Sequence, residues 1–132
     1  MNKVISWLEN RPKIAWTLII IYASLIFYLS SLSHPPQPVK VTGGFWLEVL
    51  TKTEHAIEYA IFGILLFSGF RSIKETRNKA AYYAFLLASL YGASDEIHQS
   101  FVPYRVCDVT DMLTDAAGAL AGILLSKTRL KK

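Results

Sequence analysis

The segment SDEIHQSFVPYRVCDVTD, from Ser94 to Asp111, concentrates side chains that can do chemistry. It holds the adjacent carboxylates Asp95 and Glu96, followed by His98 and Arg105. Carboxylates and imidazoles transfer protons or bind cations, and an arginine can hold a phosphate or carboxylate through two hydrogen bonds. The flanking runs AAYYAFLLASLYGA and MLTDAAGALAGILL are almost wholly apolar, so this density of charge needs an explanation.

A second group of reactive side chains lies in KTEHAIEYAIFG. Lys52, His55 and Tyr59 are spaced by three and four residues, so they share one face of a helix, and Glu58 lies beside that face. A lone histidine is more often a packing residue than a ligand, and His55-x-x-Glu58 reverses the Glu-x-x-His order of metal sites in helical bundles. The further ligands open to a zinc or hard-cation site are Asp95, His98, Asp111 and Asp115.

Aspartates at 108, 111 and 115 recur at helical spacing, and Gly118 and Gly122 extend the same row. Small residues in this spacing let helices approach closely, so the row is predicted to face other helices. Asp108 can cap the helix and Asp111 is favoured in its first turn, but Asp115 lies roughly 10 Å further along. The candidate partners of Asp115 are Lys52, His55, His98, Arg105 and a bound cation.

The elements that must position these groups are apolar runs. The chain has 132 residues, of which 52% are hydrophobic, and four long runs leave too little polar surface to cover them in a soluble domain. The single cysteine, Cys107, excludes an intramolecular disulfide. We therefore predict an all-α integral membrane bundle in one domain spanning 1–132. Its four transmembrane helices are expected at about 14–32, 54–71, 80–97 and 109–126.

The basic residues predict the orientation of these helices. Eleven of the 14 lysines and arginines lie before the first run, between the second and third, or after the fourth. The positive-inside rule then places both termini in the cytoplasm, while the Asp95 and Asp115 ends of the helices face outward. The first run is longer than the usual apolar core of a cleaved signal peptide, which favours a retained helix. No basic patch is interleaved with aromatic residues, so nucleic acid is not an expected partner.

Three stretches of the sequence resemble the VanZ family of small bacterial membrane proteins. FYLSSLSHPP is similar to the family's first-helix exit, and KTEHAIEYAIFGILL to its Lys-x-x-His-x-x-Glu-Tyr stretch. The residues from Asp95 to Gly118 resemble its most specific signature, Asp-Glu-x-His-Gln-x-Phe-Val-Pro-Gly-Arg followed by spaced aspartates and glycine. Two positions depart from the family pattern: Tyr104 replaces a common glycine, and Thr51 stands where an arginine usually precedes the lysine.

The resemblance implies a multi-pass protein of the bacterial cytoplasmic membrane, linked to reduced susceptibility to teicoplanin-type glycopeptide antibiotics. Together with the residue pattern, it predicts an outward-facing polar pocket that binds or modifies a cell-envelope component, such as a lipid-linked precursor or an anionic head group. An acid-base or metal-dependent enzyme is one form of this hypothesis, with a divalent metal as the candidate cofactor. A non-enzymatic module, whose charged cluster docks a partner or only stabilises the bundle, is the alternative.

The site residues follow from this hypothesis. Proton transfer or metal ligation is assigned to His55, Glu58, Asp95, Glu96 and His98. Substrate binding is assigned to Lys52, Tyr59, Gln99, Arg105, Asp111 and Asp115.

Overall fold

A computed structural model describes residues 2–32, 44–103 and 105–130 of the chain. The regular secondary structure of these residues is entirely helical, which confirms the predicted all-α class. Residues 33–43, between the first two predicted transmembrane helices, and Tyr104 in the turn before Arg105 lie outside the described residues. The α-helices are α1 (Asn2–Glu9), α2 (Pro12–Ser30), α3 (Gly44–Ser72), α4 (Ala80–Gln99) and α5 (Val109–Leu130), with a 3-10 turn at Arg77–Lys79 before α4.

Helix α2 packs one narrow face on the bundle and exposes the rest. Pro12 lies in its first turn, where the missing N–H costs nothing, and the helix continues through an uncharged apolar run. Ile19 and Ile26 are buried, whereas Ile20 and Ile21 are 64% and 58% exposed. An apolar face of this kind is typical of a helix that contacts lipid, because the exposure of so long an apolar surface to water is unfavourable.

Among the described residues, two helices are long and apolar enough to cross a membrane: Pro12–Ser30 and Val109–Arg129. Helices α3 and α4 have 29 and 20 residues, about 43 Å and 30 Å at 1.5 Å per residue. Their acidic and histidine residues lower the mean hydropathy of both. Helix α3 also begins ten residues before the predicted start at 54, so Lys52 is helical.

Helices α3 and α5 approach each other closely through small residues. A Cβ atom added at Gly63 would lie 2.5 Å from the carbonyl oxygen of Ala119, and one added at Gly118 would collide with the backbone of Ala56. Gly122 meets the backbone of Ala60 in the same way. The row that begins at Asp108 therefore faces α3, as its spacing predicts, and carries Asp115 into the bundle.

The centre of the bundle is aromatic on α3 and small on α4. Tyr59 and Phe62 are buried against Ala84 and Ala88 in one core cluster. Helix α2 is fixed to this core by a hydrogen bond from the Tyr22 hydroxyl to the Glu58 carbonyl oxygen (3.1 Å). A second runs from the Tyr91 hydroxyl on α4 to the carbonyl oxygen of Ala23 (2.6 Å).

Helix α1 was not among the four predicted helices. It covers the end of the bundle that contains the turn between α3 and α4. It buries Ile5 and Leu8 and contacts α2, α3 and α5. The Glu9 carboxylate accepts hydrogen bonds from Arg71 at the end of α3 and from Arg77 (3.4 Å) in the following turn. This end of the molecule is basic, whereas Asp95, Glu96 and Asp115 lie toward the other end.

Candidate functional site

A buried histidine–aspartate pair lies where the first half of α3 meets α5. Nδ1 of His55 and Oδ1 of Asp115 are 3.0 Å apart, and their side chains are 12% and 0% exposed. With Asp115 ionised, the carboxylate only accepts hydrogen bonds, so Nδ1 would carry the hydrogen and Nε2 would be left to take up a proton or a ligand. Of the partners expected for Asp115, the structure places His55 beside it.

Asp115 and two neighbouring carboxylates, Asp95 and Glu96, are each hydrogen-bonded through one oxygen only. Oε2 of Glu96 accepts the Asp108 backbone N–H (3.0 Å), and Oδ2 of Asp95 accepts the Gln99 side-chain amide (3.0 Å). The second oxygens of Asp95, Glu96 and Asp115 are buried and have no hydrogen-bond partner in the described part of the chain. Buried polar atoms without partners are costly, so this arrangement favours a bound cation, proton or polar ligand.

Two further residues shape the space around Asp115. A Cβ atom added at Gly92 would lie 3.1 Å from Oδ2 of Asp115 and 3.2 Å from the ring of Tyr59. Tyr59 is fully buried, and its hydroxyl has no hydrogen-bond partner among the residues described. Glycine at 92 thus keeps α4 close to the unpaired oxygen of Asp115.

A cavity of about 580 Å³ opens between α2, α3, the end of α4 and the loop before α5. Its lining combines five predicted site residues with apolar side chains. The polar lining comes from His55, Glu58, Asp95, Gln99 and Arg105, and the apolar lining from Leu25, Leu29, Ile57 and Ile61.

The contribution of α2 to this cavity was not predicted. Tyr22, Leu25, Leu29 and Ser30 line it, yet their types and spacing are those of any lipid-facing helix. Glu54 also lines the cavity, and the one signal that could have found it is its place four residues before Glu58 on the same helix.

Arg105 is half-buried beside the cavity. Its Nε atom is buried and has no hydrogen-bond partner within the described ranges. The two acidic residues that could have neutralised it, Asp108 and Asp111, pair instead with Lys52. Arg105 is therefore placed to hold an anionic group from a ligand.

Lys52 and Asp111 form a separate ion-paired cluster between α3 and α5. Nζ of Lys52 lies 2.9 Å from Oδ1 of Asp111, 2.6 Å from the Thr110 hydroxyl and 3.9 Å from Oδ2 of Asp108. The hydrogen bond with Asp111 raises the pKa of Lys52. The hydrogen bonds that Asp108 accepts from Thr110 lower the pKa of Asp108. Within the described chain, neither Lys52 nor Asp111 lines the cavity, and both act between helices.

His98 lies apart from the His55–Asp115 pair. Its ring packs against Phe27 of α2 with 4.5 Å between ring centres, and its Nδ1 is buried with no partner in the described residues. The helical spacing that groups His98 with Asp95 does not bring it into the cavity lining that the structure describes.

Exposed apolar helices with buried acidic and histidine side chains at one end are typical of a small helical membrane protein. Within that class, a family model described as VanZ/LLP1 matches residues 9–130, so the chain belongs to this family. No curated protein and no solved structure gave a match. The family and the two apolar helices indicate a membrane protein.

Proposed function

We propose that α2, α3, α4 and α5 each cross the bacterial cytoplasmic membrane, with both termini in the cytoplasm and the cavity open to the outside. Each helix is long enough to span a hydrocarbon core of roughly 30 Å. Arg71 and Arg77 lie at the α1 end of the bundle, where the positive-inside rule favours the cytoplasm. Glu96 and Asp115 then lie in the outer half.

The cavity binds an amphipathic component of the cell envelope, such as a lipid-linked precursor or a lipid with an anionic head group. The observation that carries this proposal is the mixed lining, with the apolar side chains Leu25, Leu29 and Ile61 and the polar side chains Asp95 and Arg105. An acyl or polyprenyl chain matches the apolar side chains. The guanidinium of Arg105 matches a phosphate or carboxylate, for which it offers two parallel hydrogen bonds.

The cavity lining also carries groups suited to acid-base chemistry on such a ligand. Nε2 of His55 is available because Asp115 holds Nδ1, which is the arrangement that orients a histidine base in many enzymes. Glu58 and Asp95 line the same cavity. Modification of the bound head group by proton transfer is therefore the enzymatic form of the proposal, and simple binding is the other.

Native mass spectrometry of the purified protein tests the proposal. Wild type should retain a lipid with a phosphate-containing head group, and Arg105→Ala should lose at least about 90% of it, a change of roughly tenfold. Lys79→Ala removes an exposed cation near the opposite end and is the matched control. The same lipid content in Arg105→Ala and wild type would contradict the proposal.

A cellular test follows from the resistance linked to the VanZ resemblance. Expression in a teicoplanin-susceptible bacterium should raise the inhibitory concentration, and Asp95→Asn should abolish the increase at equal membrane abundance. An equal increase with Asp95→Asn would show that this polar side chain of the cavity is not used in resistance.

A purely structural role is the rival, and it is favoured by the cluster of Lys52, Asp108, Thr110 and Asp111, whose members satisfy one another. If the role is purely structural, Arg105→Ala would lower the melting temperature and leave the amount of bound lipid unchanged. Measuring both quantities on the same preparation separates the two functions.

A further inference from the structure

We propose that a first-row divalent cation binds between His55, Glu96 and Asp115. One ligand atom from each of these side chains lies within 4.8 Å of the others. The three residues come from α3, α4 and α5, so the site exists only when the bundle is assembled. Cation binding does not depend on which ligand the cavity takes, but a His55 that binds the cation would not also serve as the base in the enzymatic form of the proposed function.

The unpaired oxygens are the independent reason to expect a cation there. Glu96 and Asp115 are both 0% exposed, and each has one oxygen anchored and the other without a hydrogen-bond partner among the described residues. Two buried carboxylates close together repel each other and lack solvation. A divalent cation neutralises both and accepts both unpaired oxygens as ligands.

The anchoring contacts resemble the support that metal ligands usually have. Oε2 of Glu96 is held by the Asp108 N–H, which leaves Oε1 for a ligand bond. A hydrogen bond of this kind orients a metal ligand and fixes its rotamer before the metal binds. Oδ2 of Asp115 also has no partner in the described residues, and a bound cation would replace the present contact between Oδ1 and Nδ1 of His55. Gly92 keeps free the space beside Oδ2 that a side chain would narrow.

The donor set selects the class of metal. One imidazole with two carboxylates suits Zn²⁺ or Mn²⁺, whereas Ca²⁺ and Mg²⁺ prefer oxygen ligands alone and Cu⁺ prefers sulfur. Ligands of one such cation lie roughly 3–4 Å apart at bond lengths near 2.1 Å. The ligand atoms of the present cluster lie within 4.8 Å of one another, so they must draw together by roughly 1–2 Å to reach that spacing.

Metal binding to the whole protein in detergent provides the test. The protein is stripped with a chelator, incubated separately with Zn²⁺, Mn²⁺ and Co²⁺, and passed through a desalting column before elemental analysis. At least one of the ions should be retained at about one per chain. Bound Co²⁺ should also give visible absorption bands that differ from those of the hydrated ion.

Isosteric variants locate the site. Glu96→Gln and Asp115→Asn should each weaken binding by more than about 100-fold, because even loss of a supporting contact costs about 10- to 100-fold. Glu48→Gln, an exposed carboxylate on α3, is the matched control and should bind as wild type does. Circular dichroism confirms that each variant is folded.

Two results would overturn the proposal. One is a folded wild-type protein that retains none of the three ions after desalting. The other is unchanged affinity in Glu96→Gln and Asp115→Asn. If neither variant folds, the Co²⁺ spectrum of the wild type decides, since a spectrum identical to that of the hydrated ion excludes the site.

Discussion

Asp108 links α4 to α5 through both its backbone and its side chain. Its N–H donates to Glu96, and its Oδ1 accepts hydrogen bonds from the backbone N–H (2.7 Å) and the hydroxyl (2.8 Å) of Thr110. The second set caps the first turn of α5, whose N–H groups have no partner within the helix. One residue thus starts α5 and holds the Glu96 carboxylate in place.

Asp108→Ala should lower the melting temperature, whereas Asp108→Ser should retain most of the stability because serine can also cap. The capping bonds hold the pKa of Asp108 below its ordinary value of 3.8. The stabilisation is therefore complete above that value and is lost as the pH falls through the lowered pKa. Thermal unfolding in detergent at pH 7 and below pH 4 measures both effects. A serine variant no more stable than the alanine variant would refute the capping role.

Lys52 is expected to stabilise the fold, whereas Arg105 is expected to bind the ligand. Lys52→Ala leaves Asp111 without its cation, so the melting temperature should fall, and high salt should reduce the difference by screening the ion pair. Lipid retention should stay within about twofold of wild type, because Lys52 does not line the cavity described here. Loss of lipid from a folded Lys52→Ala protein would instead support the substrate-binding role that the sequence predicts.

Among the helices, the α3–α5 contact is the one most sensitive to side-chain volume. The backbones at Gly118 and Gly122 lie against the carbonyl groups of Ala56 and Ala60, with no room for a Cβ atom. In lipid there is no hydrophobic driving force between helices, so their association depends on van der Waals packing and close backbone contact. The same contact sets the distance between His55 and Asp115.

Gly118→Ala should destabilise the protein by about 1–3 kcal/mol, since the added methyl group must separate α3 from α5. The higher helix propensity of alanine offsets at most about 1 kcal/mol of this loss. Gly44→Ala is the matched control, because a Cβ there meets nothing within 4 Å. Detergent unfolding of both variants measures the difference, and equal melting temperatures would contradict the close packing.

For the molecule as a whole, the two ends of the bundle differ in charge. Helix α1, Arg71 and Arg77 mark one end, and Glu96 and Asp115 lie toward the other. Glu9 is acidic at the basic end, but it is paired with both arginines. This polarity allows a direct test of the proposed orientation, because the single cysteine lies in the loop between α4 and α5.

Cys107 should react with a membrane-impermeant maleimide in cells whose cytoplasmic membrane is intact. Its partial exposure leaves the thiol accessible from the side that the loop faces. In a Cys107→Ser background, Glu75→Cys should react only after the membrane is permeabilised, since residue 75 lies in the loop at the opposite end. Labelling of position 75 alone in intact cells would reverse the orientation.

The sequence determined the features that depend on local pattern. Apolar runs locate the helices, since a helix must satisfy its own backbone before it can be buried in lipid. The spacing of Asp115, Gly118 and Gly122 places them on one face of a helix. Asp108 can be recognised as a helix cap from the sequence because capping involves only the next two residues. The helical class and most of the cavity's polar lining follow from such short-range rules.

Only the tertiary structure decided which partners meet. His55 and Asp115 are 60 positions apart, so their pairing depends on how closely the glycines let α3 and α5 approach. Neighbours on a helix point about 100° apart, and the bundle therefore sends Glu96 toward that pair and Asp95 toward the cavity. The apolar wall from α2 carries no sequence signal, because a leucine facing a ligand and a leucine facing lipid obey the same pattern.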